Sequence, residues 1–238
     1  MDQNEAPNVT ELEHERPKRG RGIYLLPNLF TTATLFAGFY AVVAAASGRF
    51  EAAAVAVFVA MVMDGLDGRV ARLTHTQSDF GAEYDSLSDM VAFGLAPSLV
   101  MYEWSLYHLG KLGWLAAFIF TAGAALRLAR FNSQLATADK RFFTGLPSPS
   151  AAALVAGSVW AAFDNTLTGL DLAWPALVLT AGAGLLMVSN IRFHSFKEVD
   201  FRGKVPFFVI VGVMLAFAVI FSEPPLVLFA SFFAYTFC

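Results

Sequence analysis

From residue 24 onward the sequence is divided into apolar blocks of near 20 residues, each ended by charge, Gly or Pro. A helix of about 20 residues rises about 30 Å, which is the thickness of bilayer hydrocarbon. A chain patterned this way is expected to be all-α, a polytopic membrane helix bundle. A transmembrane β-barrel would instead show alternating segments of about 10 residues, whereas the stretch 52–63 is continuously apolar and rich in Ala, the best helix former. Composition agrees, with 57% of residues hydrophobic and 15% charged, against about 25% charged in an average soluble domain.

The expected membrane helices are 24–46, 50–70, 85–102, 112–131, 150–163, 173–190, 205–221 and a last one from Pro224 to the chain end. That last block has about 15 residues and rises only about 22 Å, so seven or eight helices cross. Residues 1–22 form a polar, basic cytosolic segment and 23–238 the membrane-embedded domain. The first apolar block has no small-residue cleavage pattern behind it and reads as a membrane helix, not a signal peptide.

Basic residues set the orientation, because Lys and Arg near short loops are retained on the cytoplasmic side. Alternate connections hold Arg16, Lys18, Arg19, Arg21, Arg69, Arg72, Arg127, Arg130, Lys140, Arg141, Arg192, Lys197, Arg202 and Lys204, and the others only Arg49 and Lys111. The N-terminus and the connection between the second and third helices are therefore expected in the cytosol. The cluster from Arg16 to Arg21 is either a topology signal or a site for anionic lipid. A net charge of -3 points to no polyanionic partner, so no nucleic acid is expected, and the lone Cys238 excludes an internal disulfide and a thiolate metal site.

The chemistry-bearing residues stand where the second helix leaves the membrane and the third begins. Asp64 and Asp67 are three apart and Asp85 and Asp89 four apart, so each pair lies on one helix face. A connection of 12 residues, 73–84, returns the chain antiparallel and lets the pairs face each other. Four carboxylates at one depth near a bilayer repel one another unless cations neutralise them. All-oxygen ligands select hard ions, so Mg²⁺ or Mn²⁺ fits better than zinc, and a pair of ions can clamp a pyrophosphate. The bland alternative is a set of structural ion pairs with Arg69, Arg72 and neighbouring basic residues. Gly68 and Gly81 either let a ligand approach the backbone or pack helices.

These residues resemble the signature of the CDP-alcohol phosphatidyltransferases. That signature is Asp-Gly-x-x-Ala-Arg, eight residues, then Gly-x-x-x-Asp-x-x-x-Asp, with another Asp three positions before the first. Asp64, Asp67, Gly68, Ala71, Arg72, Gly81, Asp85 and Asp89 match every fixed position. The resemblance implies an enzyme that displaces CMP from a CDP-linked lipid with an alcohol, in the cell's inner membrane, using two divalent ions. It implies that Asp64, Asp67 and Asp85 bind metal and pyrophosphate, and that Asp89 ligates the second metal and acts as general base. Gly68, Arg72 and Ser78 would contact the CDP moiety together with Gly81, and the start of the first helix, Pro27-Asn28-Leu29-Phe30-Thr31, would border the nucleotide through Asn28 and Thr31.

Within that family the chain is similar to the bacterial integral-membrane phosphatidylserine synthases, through 21–28, 78–87, Leu126-Arg127-Leu128-Ala129-Arg130-Phe131-Asn132 and Phe143-Thr144-Gly145-Leu146-Pro147-Ser148-Pro149. The partners implied are CDP-diacylglycerol, L-serine, membrane lipids and a second copy of the chain as a homodimer. Arg127, Arg130, Asn132 and Ser148 are the candidate acceptor residues. A guanidinium can grip the serine carboxylate bidentately, and the competing reading of these arginines is an anchor at the lipid headgroups. Other acceptors, such as glycerol 3-phosphate, an inositol phosphate or choline, would use the same chemistry. A reading of a different class is a divalent-cation transporter, which would distribute its acids through the membrane depth. His75 and His194 lack metal-ligand spacing and read as surface residues.

Overall fold

The computed structural model describes residues 25–74, 78–134, 142–194 and 207–237. The basic cluster at 16–21, the segment 1–22, His75, Lys140, Arg141, Lys197, Arg202, Lys204 and Cys238 lie outside the described residues. The architecture is the expected helical bundle, and within the described residues its helices are α1 (Leu25–Ala46), α2 (Phe50–Thr74), α3 (Asp79–Asp89), α4 (Ala96–Trp104), α5 (Lys111–Gln134), α6 (Ser148–Asp164), α7 (Ala173–Val188), α8 (Phe207–Ser222) and α9 (Pro224–Phe237). A π-helical segment, Met90–Leu95, joins α3 to α4, so the three form one continuous rod.

Most boundaries fall within a few residues of expectation; the beginning of α3 does not. Its helix starts at Asp79, six residues before Asp85, because Ser78 is an extended N-cap whose Oγ accepts the Gly81 N–H at 3.0 Å and Asp79 lies in the favoured acidic first turn. With α2 running on to Thr74, most of the 12-residue connection expected at 73–84 is helical. A second difference is a small antiparallel ribbon, β1 (Phe142–Thr144) against β2 (Arg192–His194), with Phe143 opposite Phe193. Three-residue extended segments carry too little periodicity to be read from sequence. They fasten the chain before α6 to the chain after α7.

The π segment has a covalent cause. Pro97 has no N–H, so the carbonyl of Phe93 cannot find its helical partner four residues on, and the Ala96 N–H reaches back to Val91 instead. Hydroxyls attend the loosened turn: Ser98 Oγ donates to Leu95 O at 2.8 Å, and Thr121 Oγ1 on α5 lies 2.8 Å from Ser98 Oγ and 3.4 Å from Gly94 O.

The bundle is apolar on both its inner and outer sides. Alanine is its commonest buried residue, including Ala41, Ala53, Ala92, Ala152 and Ala156, whereas Phe36, Phe118, Trp174, Val178, Leu185 and Phe221 are exposed. Small residues inside let helices approach closely, and large apolar residues outside suit a hydrocarbon solvent. Among the described residues two helical stretches, Pro27–Ala46 and Lys111–Ser133, are long and apolar enough by themselves to cross a membrane, and Ala173–Val188 and Pro224–Phe237 are shorter apolar helices. At 14 residues α9 rises about 21 Å.

Helices α5 and α7 approach closely, and a Cβ on Gly123 would lie 2.4 Å from the Gly184 carbonyl oxygen and one on Gly184 would lie 2.8 Å from Phe120 Cα. Gly184→Val must push these helices apart, at a cost of about 1–3 kcal/mol for overpacking. It is expected to lower the thermal unfolding midpoint of the detergent-solubilised protein by several degrees. Gly182→Ala, where an added Cβ meets nothing within 4 Å, is expected to leave that midpoint at or slightly above the native value.

Candidate active site

The end of α2, the start of α3, the end of α5 and the start of α6 meet at one end of the bundle. Helical spacing puts Asp64 and Asp67 on one face of α2, and α3 returns with Asp85 beside them. One carboxylate oxygen from each of the three lies within 4.8 Å of the other two. Two opposed ligands of an ion with 2.0–2.1 Å bonds stand about 4.2 Å apart, so this spacing fits a single small divalent cation.

Asp89, the fourth expected ligand, lies outside that group of three. It is one helical turn farther along α3, within electrostatic reach of Asp64, Asp85 and Asp67, and its Oδ1 is buried with no hydrogen-bond partner. A buried carboxylate oxygen without a partner is costly, and a cation or a substrate hydroxyl would satisfy it. The all-oxygen donor set and this orphaned atom together fit a hard divalent metal. The ion-pair alternative has less support, since Arg69 and Arg72 are exposed on α2, Asp67, only 5% exposed, accepts from Thr31 Oγ1 at 3.0 Å, and Arg127, the neighbouring cation that acts on Asp89, donates to Ser148.

Around the acids the structure gathers several residues expected to border a nucleotide. Asn28, Ser78 and Gly81 are neighbours: a Cβ on Gly81 would meet Ser78 Oγ at 3.1 Å and Asn28 Oδ1 at 3.6 Å. Gly68 is exposed and a Cβ there would meet nothing within 4 Å. Its backbone is therefore open to a ligand and packs no helix, whereas Gly81 sits close to its neighbours. Arg72 is exposed on the last turn of α2. Thr31 differs from these, being 4% exposed and turned onto Asp67.

The second polar group lies on α5 and α6. Gly145 adopts φ +82°, where an added Cβ would stand 2.3 Å from the Met187 carbonyl oxygen, so only glycine fits the turn that leads to Ser148. The Gly145 N–H donates to Ile191 O at 2.8 Å and the Leu146 N–H to Leu186 O at 3.1 Å. Ser148, thus fixed, accepts from Arg127 Nη1 at 2.8 Å. The Arg127 Nε is buried without a partner, and its guanidinium interacts electrostatically with Asp89 and Tyr235. Asn132 Nδ2 donates to Ser86 Oγ at 3.0 Å, which ties the end of α5 to the acidic helix. Arg130 is turned elsewhere, donating through Nη1 to Asn190 Oδ1 at 3.3 Å.

Sequence reasoning missed several members of the site. Tyr84 pairs with Thr32 across 3.0 Å, Ser86 receives Asn132, and Tyr235 reaches Arg127 from the final helix. The first two stand beside Asp85, where helical spacing from the acids was the available signal. Tyr235 lies about 100 residues from Arg127 in the sequence and carried none.

Known proteins of similar sequence bear on the same residues. The protein named CDP-diacylglycerol–serine O-phosphatidyltransferase in Helicobacter pylori is 43% identical over 197 residues, covering 82% of each chain. Its namesake in Mycobacterium tuberculosis is 34% identical over 191 residues, 78% of this chain and 66% of that one. In Bacillus subtilis the protein of that name is 34% identical over 176 residues, 73% of this chain and 92% of its own. The family model for CDP-alcohol phosphatidyltransferase matches residues 24–181, a stretch that contains all four aspartates, Arg127 and Ser148 and ends within α7. With well over half of its length matched, and with an acidic cluster suited to metal inside the matched region, the chain belongs to the CDP-alcohol phosphatidyltransferase family.

Proposed function

We propose that the chain transfers the phosphatidyl group of CDP-diacylglycerol to L-serine, releasing CMP and forming phosphatidylserine, at the cytosolic edge of the bacterial inner membrane. The observation that carries this reading is one end of an apolar bundle holding a carboxylate cluster and a half-buried Arg127, fixed by Ser148 and facing Asp89. The relatives' shared name supports serine as the acceptor. Orientation is supported by Arg69, Arg72, Arg127 and Arg130 lying at the acidic end, with Arg49 and Lys111 at the starts of α2 and α5. Membrane lipids and a second copy of the chain are its further partners.

Asp64, Asp67, Asp85 and Asp89 would hold the metal. Bound there, one or two Mg²⁺ or Mn²⁺ ions supply charge neutralisation for the pyrophosphate and for the departing CMP. The chain's own residues do the rest. Gly68 leaves its backbone open to the nucleotide, and Asn28, Ser78 and Gly81 flank it. The lipid tails stay in hydrocarbon while serine arrives from water, its carboxylate held by Arg127. Asp89 Oδ1, buried and unpartnered, accepts the proton of the serine hydroxyl. The serine oxygen forms a bond to the phosphorus carrying diacylglycerol, and the bond from this phosphorus to the oxygen of CMP breaks. Positioning and electrostatics carry such a transfer, with no covalent enzyme intermediate.

Two competing readings fit the site less well. A phosphorylated acceptor would want several converging cations, whereas among the described residues Arg130 is engaged with Asn190 and Arg127 is the guanidinium beside Ser148. A cation transporter would carry acids along the depth of the bundle, whereas these aspartates lie at one end of it.

With purified protein in detergent micelles, CMP release should follow L-serine in a panel of alcohols and stop on chelation. Preference for glycerol 3-phosphate or an inositol phosphate would refute serine as acceptor. Asp89→Asn is expected to lower kcat by about 10²–10⁴-fold, the range for loss of a general base, with KM for CDP-diacylglycerol little changed. Arg127→Lys loses the planar fork and is expected to raise KM for serine by about 10–100-fold. An unchanged serine KM would detach Arg127 from the acceptor.

A further inference from the structure

We infer that Thr31 is a positioning residue for the metal centre, acting on the ion through Asp67. The inference rests on the metal-dependent reading above and deepens it. Thr31 lies on α1, outside the four-aspartate pattern, yet it is 4% exposed and its hydroxyl donates to Asp67 Oδ2 at 3.0 Å. The same hydroxyl is 3.2 Å from the Pro27 carbonyl, the acceptor that a helical threonine reaches on its own turn. Thr34, one turn deeper, does only that, donating to Phe30 O at 3.2 Å. Thr31 shares its single proton between the helix and a carboxylate on α2.

The chemistry of that donor matters. A carboxylate that ligates metal has two oxygens and can swing about its Cβ–Cγ bond, so a donor on one oxygen fixes which face the other presents. An arginine or lysine would do this with a positive charge that competes with the ion for the same carboxylate. A hydroxyl orients the group and leaves its charge for the cation. Burial protects the bond from water. Thr32, the next residue, faces another way and pairs with Tyr84 on α3 in an exposed contact of 3.0 Å. The first helix therefore touches both acidic helices, and only one of these contacts falls on a carboxylate.

Direct Mn²⁺ binding to the full-length, detergent-purified chain, read from the paramagnetic resonance of free Mn²⁺, tests this without turnover. Thr31→Val keeps the shape and removes the donor. It is expected to weaken Mn²⁺ binding by about 10–100-fold, the usual effect of losing a partner behind a metal ligand. Thr31→Ser should restore binding to within about threefold of the native chain, and Thr34→Val, which removes only a bond to its own helical turn, should leave it unchanged. In turnover, Thr31→Val should raise the Mn²⁺ needed for half-maximal rate while KM for serine stays constant. Native-like Mn²⁺ binding by Thr31→Val, or a Thr31→Ser variant as weak as Thr31→Val, would overturn the assignment. A native chain that binds no Mn²⁺ would instead overturn the metal-dependent reading, and this proposal with it.

Discussion

Mutual repulsion among carboxylates at the end of an apolar bundle is the constraint on which the rest of the structure depends. Three aspartate oxygens within 4.8 Å of one another, with Asp89 a turn away, would drive α2 and α3 apart if nothing neutralised them. The bundle resists this with packing that leaves little room to relax. Gly38 on α1 brings that helix so close to the π segment that an added Cβ would stand 2.7 Å from Ala92 Cα. Thr31 and Thr32 extend the same helix's hold to Asp67 and Tyr84. The carboxylates are held together by small residues and hydroxyls, and the charge they gather is left for an ion.

The inversion of side-chain size follows from the same setting. Between helices in hydrocarbon there is no hydrophobic drive to bury Phe or Leu, so close contact comes from Ala and Gly, and the large side chains turn outward. Ala41, Ala53 and Ala92 inside against Phe36 and Phe118 outside express this rule. Where backbone geometry breaks, in the π segment before Pro97, the Ser98 and Thr121 hydroxyls lie against the Leu95 and Gly94 carbonyls. The break comes directly after Asp89, so the rod that carries two of the acids has its one irregular turn beside the chemistry.

Much of this was legible in the sequence because the information was local. Asp64, Asp67, Asp85 and Asp89 declare their shared faces by spacing alone, and apolar blocks declare the helices that bring them together. The parts that were not legible depend on long-range pairing. Nothing near Thr31 announces that its hydroxyl turns inward to Asp67, and its proximity to the nucleotide motif suggested a ligand contact instead. Tyr235 meets Arg127 only because α9 packs on α6, a matter of helix order in the bundle. Arg127 and Arg130 look equivalent at three residues apart, yet one faces Ser148 and Asp89 while the other finds Asn190. The start of α3 at Asp79 depends on the Ser78 hydroxyl capping the helix, a role that the family motif, with Ser78 as a nucleotide contact, does not announce.

The account is tested most directly by anomalous X-ray scattering at the manganese edge from crystals of the chain grown with Mn²⁺. It predicts an anomalous peak enclosed by the carboxylates of Asp64, Asp67 and Asp85, with Asp89 Oδ1 facing the same cavity. Aspartates that point apart, or a Mn²⁺-saturated crystal with no peak among them, would contradict it.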